Sequence, residues 1–238
     1  SPQEWWEAFL RAGQRLLSRG LVASSAVRAV CCSTQGEGTI PVDRDGNALM
    51  NCILWMDTRG AELLKKQFKG RINLSGAGLQ STLRWIRLTG GMPSLSGKDP
   101  AAHMLYIKDR FPEIYARTAK FLNVLDYMNL RLCGRAAATV DSILTSWVTD
   151  NRNPANIHYD SSLVRHCGID ADKLPEIVPC TAVLGTIRAE VAGQLGLPEG
   201  VQLVAGAIDT TAAAIGAGAI ADYQPHLYIG TSSWMAAH

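Results

Sequence analysis

Residues 201–208 form an apolar run that ends on Asp209 and passes directly into a stretch of small, helix-favouring residues at 210–215. A buried strand that leads straight into a helix is the repeating unit of α/β proteins. The same alternation comes just before it, with a strand-like run at 183–187 and a helical pattern at 189–195. The last part of the chain therefore predicts an α/β fold.

The rest of the chain agrees with this class. Strands are predicted at residues 26–32, 39–42 and 48–55, the last two joined by a turn at 43–46, and a short strand at 121–124. Helices are predicted from Ser1 to Gly20 and at 60–68, 79–88, 100–110 and 126–132. No repeat or low-complexity linker divides the 238 residues, so we treat 1–238 as one domain.

Composition excludes several classes of protein. Hydrophobic residues make up 47% of the chain, which is enough for a substantial core. The net charge is +2 with no basic run, so neither a nucleic acid nor an anionic membrane is expected as a partner. No apolar stretch approaches the roughly 20 residues of a membrane span. The six cysteines lack metal-ligand spacing, so we expect buried free thiols, no metal site of this kind and a cytoplasmic location.

The carboxylate that follows the apolar run is a candidate functional group. Ligands of α/β proteins usually bind outside the carboxyl ends of the strands, where Asp209 is predicted to lie. Its side chain could act as a base or bind a cation. The alternative is a structural role, since Asp is a favoured N-cap of the helix that follows.

A second candidate is the turn after the strand-like run Leu227-Tyr228-Ile229. Gly230, Thr231 and Ser232 offer backbone N–H groups and hydroxyls of the kind that surround a phosphate. The alternative is an ordinary turn, for which Gly and Ser are common residues.

Polar side chains follow two strands near the beginning of the chain. Gln35 and Glu37 come after the first strand, and Trp55, Asp57 and Arg59 come after a later one. Planar hydrogen-bonding groups beside an aromatic face are suited to a sugar or polyol. The alternative is that Asp57 and Arg59 pair with each other on the surface.

Seven short motifs occur in a fixed order along the chain. They are Gln3-Glu4-Trp5-Trp6, Ile53-Leu54-Trp55-Met56-Asp57-Thr58-Arg59, Phe111-Pro112-Glu113-Ile114-Tyr115, Asp126-Tyr127 with Arg131-Leu132-Cys133-Gly134, Leu195-Gly196-Leu197-Pro198, Ala205-Gly206-Ala207-Ile208-Asp209 and Gly230-Thr231-Ser232. In order and spacing they resemble the FGGY carbohydrate kinase family, and within it the xylulokinase-like proteins. The resemblance implies an actin-like ATPase (ribonuclease H-like) fold, of which this chain is the N-terminal lobe of a sugar kinase.

The resemblance also implies roles for the candidate residues. Asp209 is similar to the catalytic base that takes the proton of the sugar hydroxyl during transfer of a phosphoryl group from ATP with Mg²⁺. Gly230, Thr231 and Ser232 correspond to the turn that faces the ATP phosphates. The substrate contacts are Gln35, Glu37, Trp55 and Asp57. A homodimer is compatible with this resemblance.

Two departures from the family pattern shape these expectations. Xylulokinases commonly carry Met-His where this chain has Gly36-Glu37, and glycerol kinases carry Arg-Glu there, so the substrate is expected to be a ketopentose such as D-xylulose, with glycerol or another polyol as the alternative. The family's first phosphate hairpin (Asp-x-Gly-Thr/Ser) and its second, ATP-binding lobe have no counterpart in residues 1–238. We therefore expect this chain to be incomplete and inactive alone. The other alternative is a non-catalytic sugar-binding or regulatory relative.

Overall fold

The computed structural model describes residues 1–74, 76–230 and 233–237. Its α-helices in these ranges are α1 (Pro2–Ser18), α2 (Ala61–Phe68), α3 (Leu79–Thr89), α4 (Pro100–Arg110), α5 (Pro112–Arg117), α6 (Val124–Cys133), α7 (Val140–Leu144), α8 (Ser161–His166), α9 (Ala189–Leu195) and α10 (Asp209–Gly216). Its strands are β1 (Ala29–Thr34), β2 (Ile40–Val42), β3 (Asn73–Leu74), β4 (Ala77–Gly78), β5 (Lys120–Leu122), β6 (Ala137–Thr139), β7 (Thr149–Asp150), β8 (His158–Tyr159), β9 (Glu176–Val178), β10 (Val183–Thr186), β11 (Gln202–Ile208), β12 (Pro225–Ile229) and β13 (Ser233–Ala237). The chain is therefore an α/β protein.

A three-stranded sheet in the order β1-β11-β10 lies at the centre of the fold. Strand β11 is parallel to β1 and antiparallel to β10. In the parallel pair Thr34 lies opposite Ile208, so both strands end at the same edge of the sheet. The residues that follow them, Gln35 and Asp209, consequently start from neighbouring positions at that edge.

An irregularity in the β1–β11 pair depends on a glycine. The register shifts between Cys31 and Ser33, opposite the part of β11 that contains Gly206. Gly206 has φ +81°, and a Cβ atom placed there would lie 2.1 Å from the carbonyl oxygen of Cys32. Only glycine allows two backbones to approach this closely in a left-handed conformation. Gly206 thus sets the alignment of the strand that ends at Asp209.

The core consists of two clusters of apolar side chains. In the first, α1, α6 and α9 pack together beside the central sheet, with Trp6, Leu195 and Leu203 buried. The second lies among α2, α3 and α4 and surrounds Trp85 and Phe68, whose ring centroids are 4.6 Å apart. Burial of each large side chain stabilises the fold by roughly 1.5–3 kcal/mol.

A buried polar network joins α6 to α7. Asn123 caps α6, and Asp126 completes the capping box by accepting from the Asn123 backbone N–H at 3.2 Å. The same carboxylate accepts from the Thr139 backbone N–H at 3.3 Å and from Ser142 Oγ at 2.9 Å. Burial raises the pKa of Asp126 to about 7. The start of α7 is therefore fixed to α6 by one carboxylate.

The predicted helices and the strands at 183–187 and 201–208 are confirmed, whereas three predicted strands need correction. Residues 48–55 form no strand, since only the isolated bridges Thr39–Ile53 and Val42–Ala48 connect them to residues 39–42. The strand at 121–124 ends at Leu122, because Asn123 accepts from the Val124 N–H and starts a helix. The strand at 26–32 begins only at Ala29, after a 3₁₀ turn at Ser24–Ala26.

The last two strands form an antiparallel hairpin that leaves apolar side chains exposed. Tyr228 and Trp234 lie opposite each other, and their rings stack with centroids 5.0 Å apart. Ile229 is 77% exposed, Met235 74% and Leu227 62%. The hairpin thus carries three large apolar side chains that are mostly exposed.

Two further expectations concern the surface. All six cysteines lie in the described part of the chain and are free thiols, but only Cys167 is buried, four are partly buried and Cys31 is exposed. The expectation of buried thiols was therefore wrong for five of them. Among the helices of residues 1–74, 76–230 and 233–237, none has both the length and the apolar character to cross a membrane.

Candidate active site

An open cavity of about 570 Å³ lies at the carboxyl ends of β1 and β11. The residues that line it are Gln35, Gly36, Glu37, Trp55, Thr145, Ile208, Asp209, Thr210, Ala213, Tyr228 and Trp234. Four of the candidate residues, two from the loop after β1, one from the segment after β2 and one from the start of α10, thus line one cavity. This is the position in which α/β proteins usually bind their ligands.

Asp209 is the first residue of α10, and the N-cap position belongs to Ile208. The Asp209 side chain is exposed and makes no capping hydrogen bond. Thr210 Oγ1 donates to it at 3.4 Å, which is a long contact. The structure therefore does not give Asp209 the N-cap role that was the structural alternative, and leaves its carboxylate open to the cavity.

Glu37 places a second carboxyl group in the cavity lining. Its backbone is left-handed, with φ 57°, which is uncommon for a residue other than glycine. Burial raises the pKa of Glu37 to about 7, with Asp99 acting in the same direction and Lys98 against it. Near neutral pH this group can accept a hydrogen bond as a carboxylate or donate one as an acid.

Gln35 and Trp55 add a donor and an aromatic surface. The Nε2 atom of Gln35 is buried and has no hydrogen-bond partner among the described residues. A buried donor without a partner is costly, so a ligand oxygen that accepts from Gln35 would gain more than an ordinary hydrogen bond. The loop is set directly against β11, since a Cβ atom on Gly36 would lie 3.1 Å from Ile208 Cδ1.

Asp57, another predicted site residue, is not among the residues that line the cavity. Asp57 forms an ion pair with Arg59, whose Nε donates to Oδ2 at 2.8 Å and whose Nη2 donates at 2.5 Å. Hydrogen bonds from Arg59 hold the pKa of Asp57 below its ordinary value. The structure therefore shows Asp57 paired with Arg59, and its role as a substrate contact stays a prediction.

Of the predicted phosphate turn, only Gly230 belongs to the described residues. Gly230 follows β12 and is exposed, and it is not one of the cavity-lining residues. Thr231 and Ser232 lie outside the described residues. The role of this turn stays a prediction.

Seven residues of the cavity lining were not predicted as site residues. Three of them, Gly36, Ile208 and Ala213, have no polar side chain, and the other four are Thr145, Thr210, Tyr228 and Trp234. Tyr228 and Trp234 flank the predicted phosphate turn, and aromatic residues on both sides of such a turn were a usable signal. Thr210 is next to Asp209 and could have been included with it. Thr145 follows a five-residue helix, and no pattern in the sequence points to it.

The chain is similar in sequence to proteins named as sugar and polyol kinases. Xylulose kinase from Bacillus subtilis is 26% identical over 238 residues, which is 98% of this chain and 44% of the relative. Glycerol kinase from Thermococcus gammatolerans is 29% identical over 201 residues, 81% of this chain and 37% of the relative. The chain thus spans less than half the length of these relatives.

Solved structures agree on the fold. The ligand-bound xylulose kinase from Lactobacillus acidophilus superposes with a TM-score of 0.83 at 22% identity, over 99% of this chain and 44% of that one. This confirms the predicted α/β fold, that of the actin-like N-terminal lobe of a sugar kinase. The FGGY family of carbohydrate kinases, N-terminal domain, matches residues 1–216. Because that match covers most of the chain, this protein belongs to the FGGY family of carbohydrate kinases.

Proposed function

We propose that this chain is the sugar-binding lobe of an ATP-dependent carbohydrate kinase and that Asp209 is its general base. The observation that carries the proposal is the free carboxylate of Asp209 at the end of β11, in the same cavity as Gln35, Glu37 and Trp55. Relatives named xylulose kinase and glycerol kinase support a sugar or polyol as the substrate.

The cavity lining is suited to a polyol. Gln35 offers an unpaired donor, and Glu37 can accept or donate according to its protonation state. Trp55 and Trp234 provide aromatic faces for the apolar C–H groups of a sugar. A ketopentose such as D-xylulose is our first choice, supported by the relatives named xylulose kinase. The second candidate is glycerol, which Glu37 and the glycerol kinase relative favour.

The chemistry proposed for this chain is proton transfer and orientation. Gln35, Glu37 and Trp55 hold the polyol so that one hydroxyl faces Asp209. Asp209 accepts the proton of that hydroxyl as the oxygen becomes a nucleophile, a contribution of about 10²- to 10⁴-fold for a positioned base. Bound ATP with Mg²⁺ supplies the phosphoryl group that the oxygen attacks.

The cavity lining offers oxygen ligands for Mg²⁺ but no cationic side chain for the triphosphate of ATP among its described residues. The Asp209 carboxylate and the neighbouring Thr210 hydroxyl are oxygen groups of the kind that Mg²⁺ binds. Among the described lining residues there is no Lys or Arg, so the triphosphate charge has to be neutralised by the metal or by groups outside this lining. We therefore propose that ATP binding needs a second lobe and that residues 1–238 alone do not turn over a sugar.

Sugar binding is tested by calorimetric titration of the 238-residue chain with D-xylulose, ribulose and glycerol. Binding of one polyol, weakened about 10-fold or more by Trp55→Ala and by Gln35→Ala, supports the pocket. Gln80→Ala is the matched control, because Gln80 is exposed on α3 and lies outside the cavity. Equal affinities for all three variants would contradict the assignment.

The base is tested in the complete kinase that carries this chain. Asp209→Asn is expected to lower kcat about 10²- to 10⁴-fold with little change in sugar affinity. Asp222→Asn, at an exposed carboxylate outside the cavity, is the control. A wild-type protein that binds a sugar but phosphorylates none would instead support the alternative function, that of a non-catalytic sugar-binding relative.

A further inference from the structure

Asp141, on α7, forms hydrogen bonds to the start of α10. Its Oδ2 accepts from the Ile208 backbone N–H at 2.7 Å, and its Oδ1 accepts from Thr211 Oγ1 at 2.6 Å. One carboxylate from a different element therefore ties the last residue of β11 to the first turn of α10. These two residues lie on either side of Asp209 and Thr210.

This contact lies at a helix start that has no side-chain cap. The N-cap residue of α10 is Ile208, which has no side-chain oxygen, and α10 has no side-chain capping bond of its own. An Asp at the start of a helix ordinarily turns its carboxylate toward the free N–H groups of the first turn. Here the Asp209 carboxylate is exposed to the cavity, and Asp141 holds the helix start through the Ile208 N–H and the Thr211 hydroxyl.

Asp141 is itself held in a fixed place. Thr139 caps α7 by accepting from the Ser142 N–H at 3.0 Å. Ser142 Oγ in turn donates to the fully buried Asp126 of α6 at 2.9 Å. The short helix that carries Asp141 is thus anchored at its start, so its contact with α10 can act as a rigid brace.

We propose that Asp141 is a positioning residue for the reaction, which sets the direction of the Asp209 carboxylate by bracing the β11–α10 junction. The inference rests on the proposed function, because it concerns the geometry of the proposed base. A displacement of about 1 Å in a reacting group can cost roughly 10²-fold in rate. Removal of the brace should therefore lower turnover without removing a group that contacts the sugar.

Three variants of the complete kinase separate bracing from other roles. Asp141→Ala removes both hydrogen bonds and is expected to lower kcat about 10- to 100-fold with the sugar KM changed less than about 3-fold. Asp141→Asn can still accept from the Ile208 N–H and can donate to Thr211 Oγ1, so it should retain most of the turnover. Asp160→Ala is the matched control, because Asp160 caps α8 through the Ser162 and Leu163 N–H groups and does not line the cavity.

A second pair of variants tests the other end of the brace. Thr211→Val removes the hydroxyl at nearly constant volume and should lower kcat in the same direction as Asp141→Ala, whereas Thr211→Ser should stay near wild type. This pair also decides the matter if Asp141→Ala does not fold.

The outcomes are distinct. A loss of kcat in Asp141→Ala and Thr211→Val, with Asp141→Asn and Asp160→Ala near wild type, supports the inference. Turnover of Asp141→Ala equal to that of Asp160→Ala would overturn it, and so would an equal loss in Asp141→Asn, since that would indicate a role of the charge. Wild-type protein that phosphorylates no sugar overturns the proposed function and this inference with it.

Discussion

Replacement of Gly206 by alanine tests the close approach of β1 and β11. The new Cβ would lie 2.1 Å from the Cys32 carbonyl oxygen, in a residue with φ +81°. Gly200 provides a matched control, because its φ is +85° and nothing lies within 4 Å of its Cβ position. Both variants carry the cost of placing alanine at a positive φ, and only Gly206→Ala adds a collision between the new Cβ atom and the Cys32 carbonyl oxygen.

The expected magnitudes follow from these two terms. A non-glycine residue in a left-handed conformation costs about 1–2 kcal/mol, which should be the whole effect of Gly200→Ala. To relieve the collision, β11 has to move away from β1. This movement disturbs the packing of the β11 side chains Leu203 and Ala205, which are fully buried. Overpacking of this kind costs a further 1–3 kcal/mol or so. We therefore expect Gly206→Ala to lower the free energy of unfolding by about 3–4 kcal/mol.

Urea unfolding of the 238-residue chain, followed by circular dichroism, measures both variants. The midpoint of Gly206→Ala should lie about 1 M below that of Gly200→Ala, for an extra cost of about 2 kcal/mol and an m-value of about 2 kcal/mol per M. Equal midpoints for the two variants would refute the reasoning, since the collision would then have no energetic consequence.

Three further predictions use the same measurement. Burial raises the pKa of Glu37 to about 7 from 4.5, so the folded chain holds a proton that the unfolded chain has lost, and stability falls as pH rises between these values. The free energy of unfolding of Glu37→Gln should not show this fall, so relative to wild type it should rise by about 1 kcal/mol between pH 4.5 and 8, a figure reduced because Glu37 is partly exposed. A difference in unfolding free energy that does not change with pH would contradict this prediction. Asp126→Ala leaves the buried Ser142 Oγ without its carboxylate acceptor, so we expect a loss of about 3 kcal/mol, and a loss below about 1 kcal/mol would refute the role of that network. Asn123→Ala should cost about 1–2 kcal/mol, because it removes the cap of α6 and the acceptor of the buried Gly38 N–H. Asn153→Ala should cost less than about 0.5 kcal/mol, because Asn153 caps only an exposed three-residue 3₁₀ helix, and equal losses would count against this reasoning.

The parts of the fold that the sequence predicted well are those with strong local signals. Helix α9 at 189–195 and helix α4 at 100–110 match their predicted bounds, since their apolar spacing and terminal residues are local properties. Helix α7 has only five residues, and it depends on the Thr139 cap and on contacts with Asp126 from another element. The residues next to α7 in the sequence do not indicate such a contact, so this helix could not be predicted from them.

The sequence predicted four of the residues that line the candidate cavity, and the rest depend on how distant segments pair. Gln35 and Asp209 are far apart in sequence, and the parallel pairing of Thr34 with Ile208 is what brings their positions together. The pairing of Asp57 with Arg59 was one of two interpretations that the sequence left open, and it is the geometry that shows this pair, while a contact of Asp57 with substrate stays a prediction. Trp234 lies across the hairpin from Tyr228, a register that the sequence does not reveal before the strands are paired.

The pairing of β1 with β11 also determines the order in which this chain can fold. Strand β1 is complete at Thr34, but its parallel partner begins only at Gln202. During synthesis from the N-terminus, β1 therefore leaves the ribosome long before β11 exists, and it waits with an unpaired edge that other chains could bind. The helical cluster around Trp85 can form in this interval, because it is made from residues between Ile53 and Leu174. The central sheet, and with it the proposed active site, can therefore assemble only after the residues of this helical cluster have been synthesised.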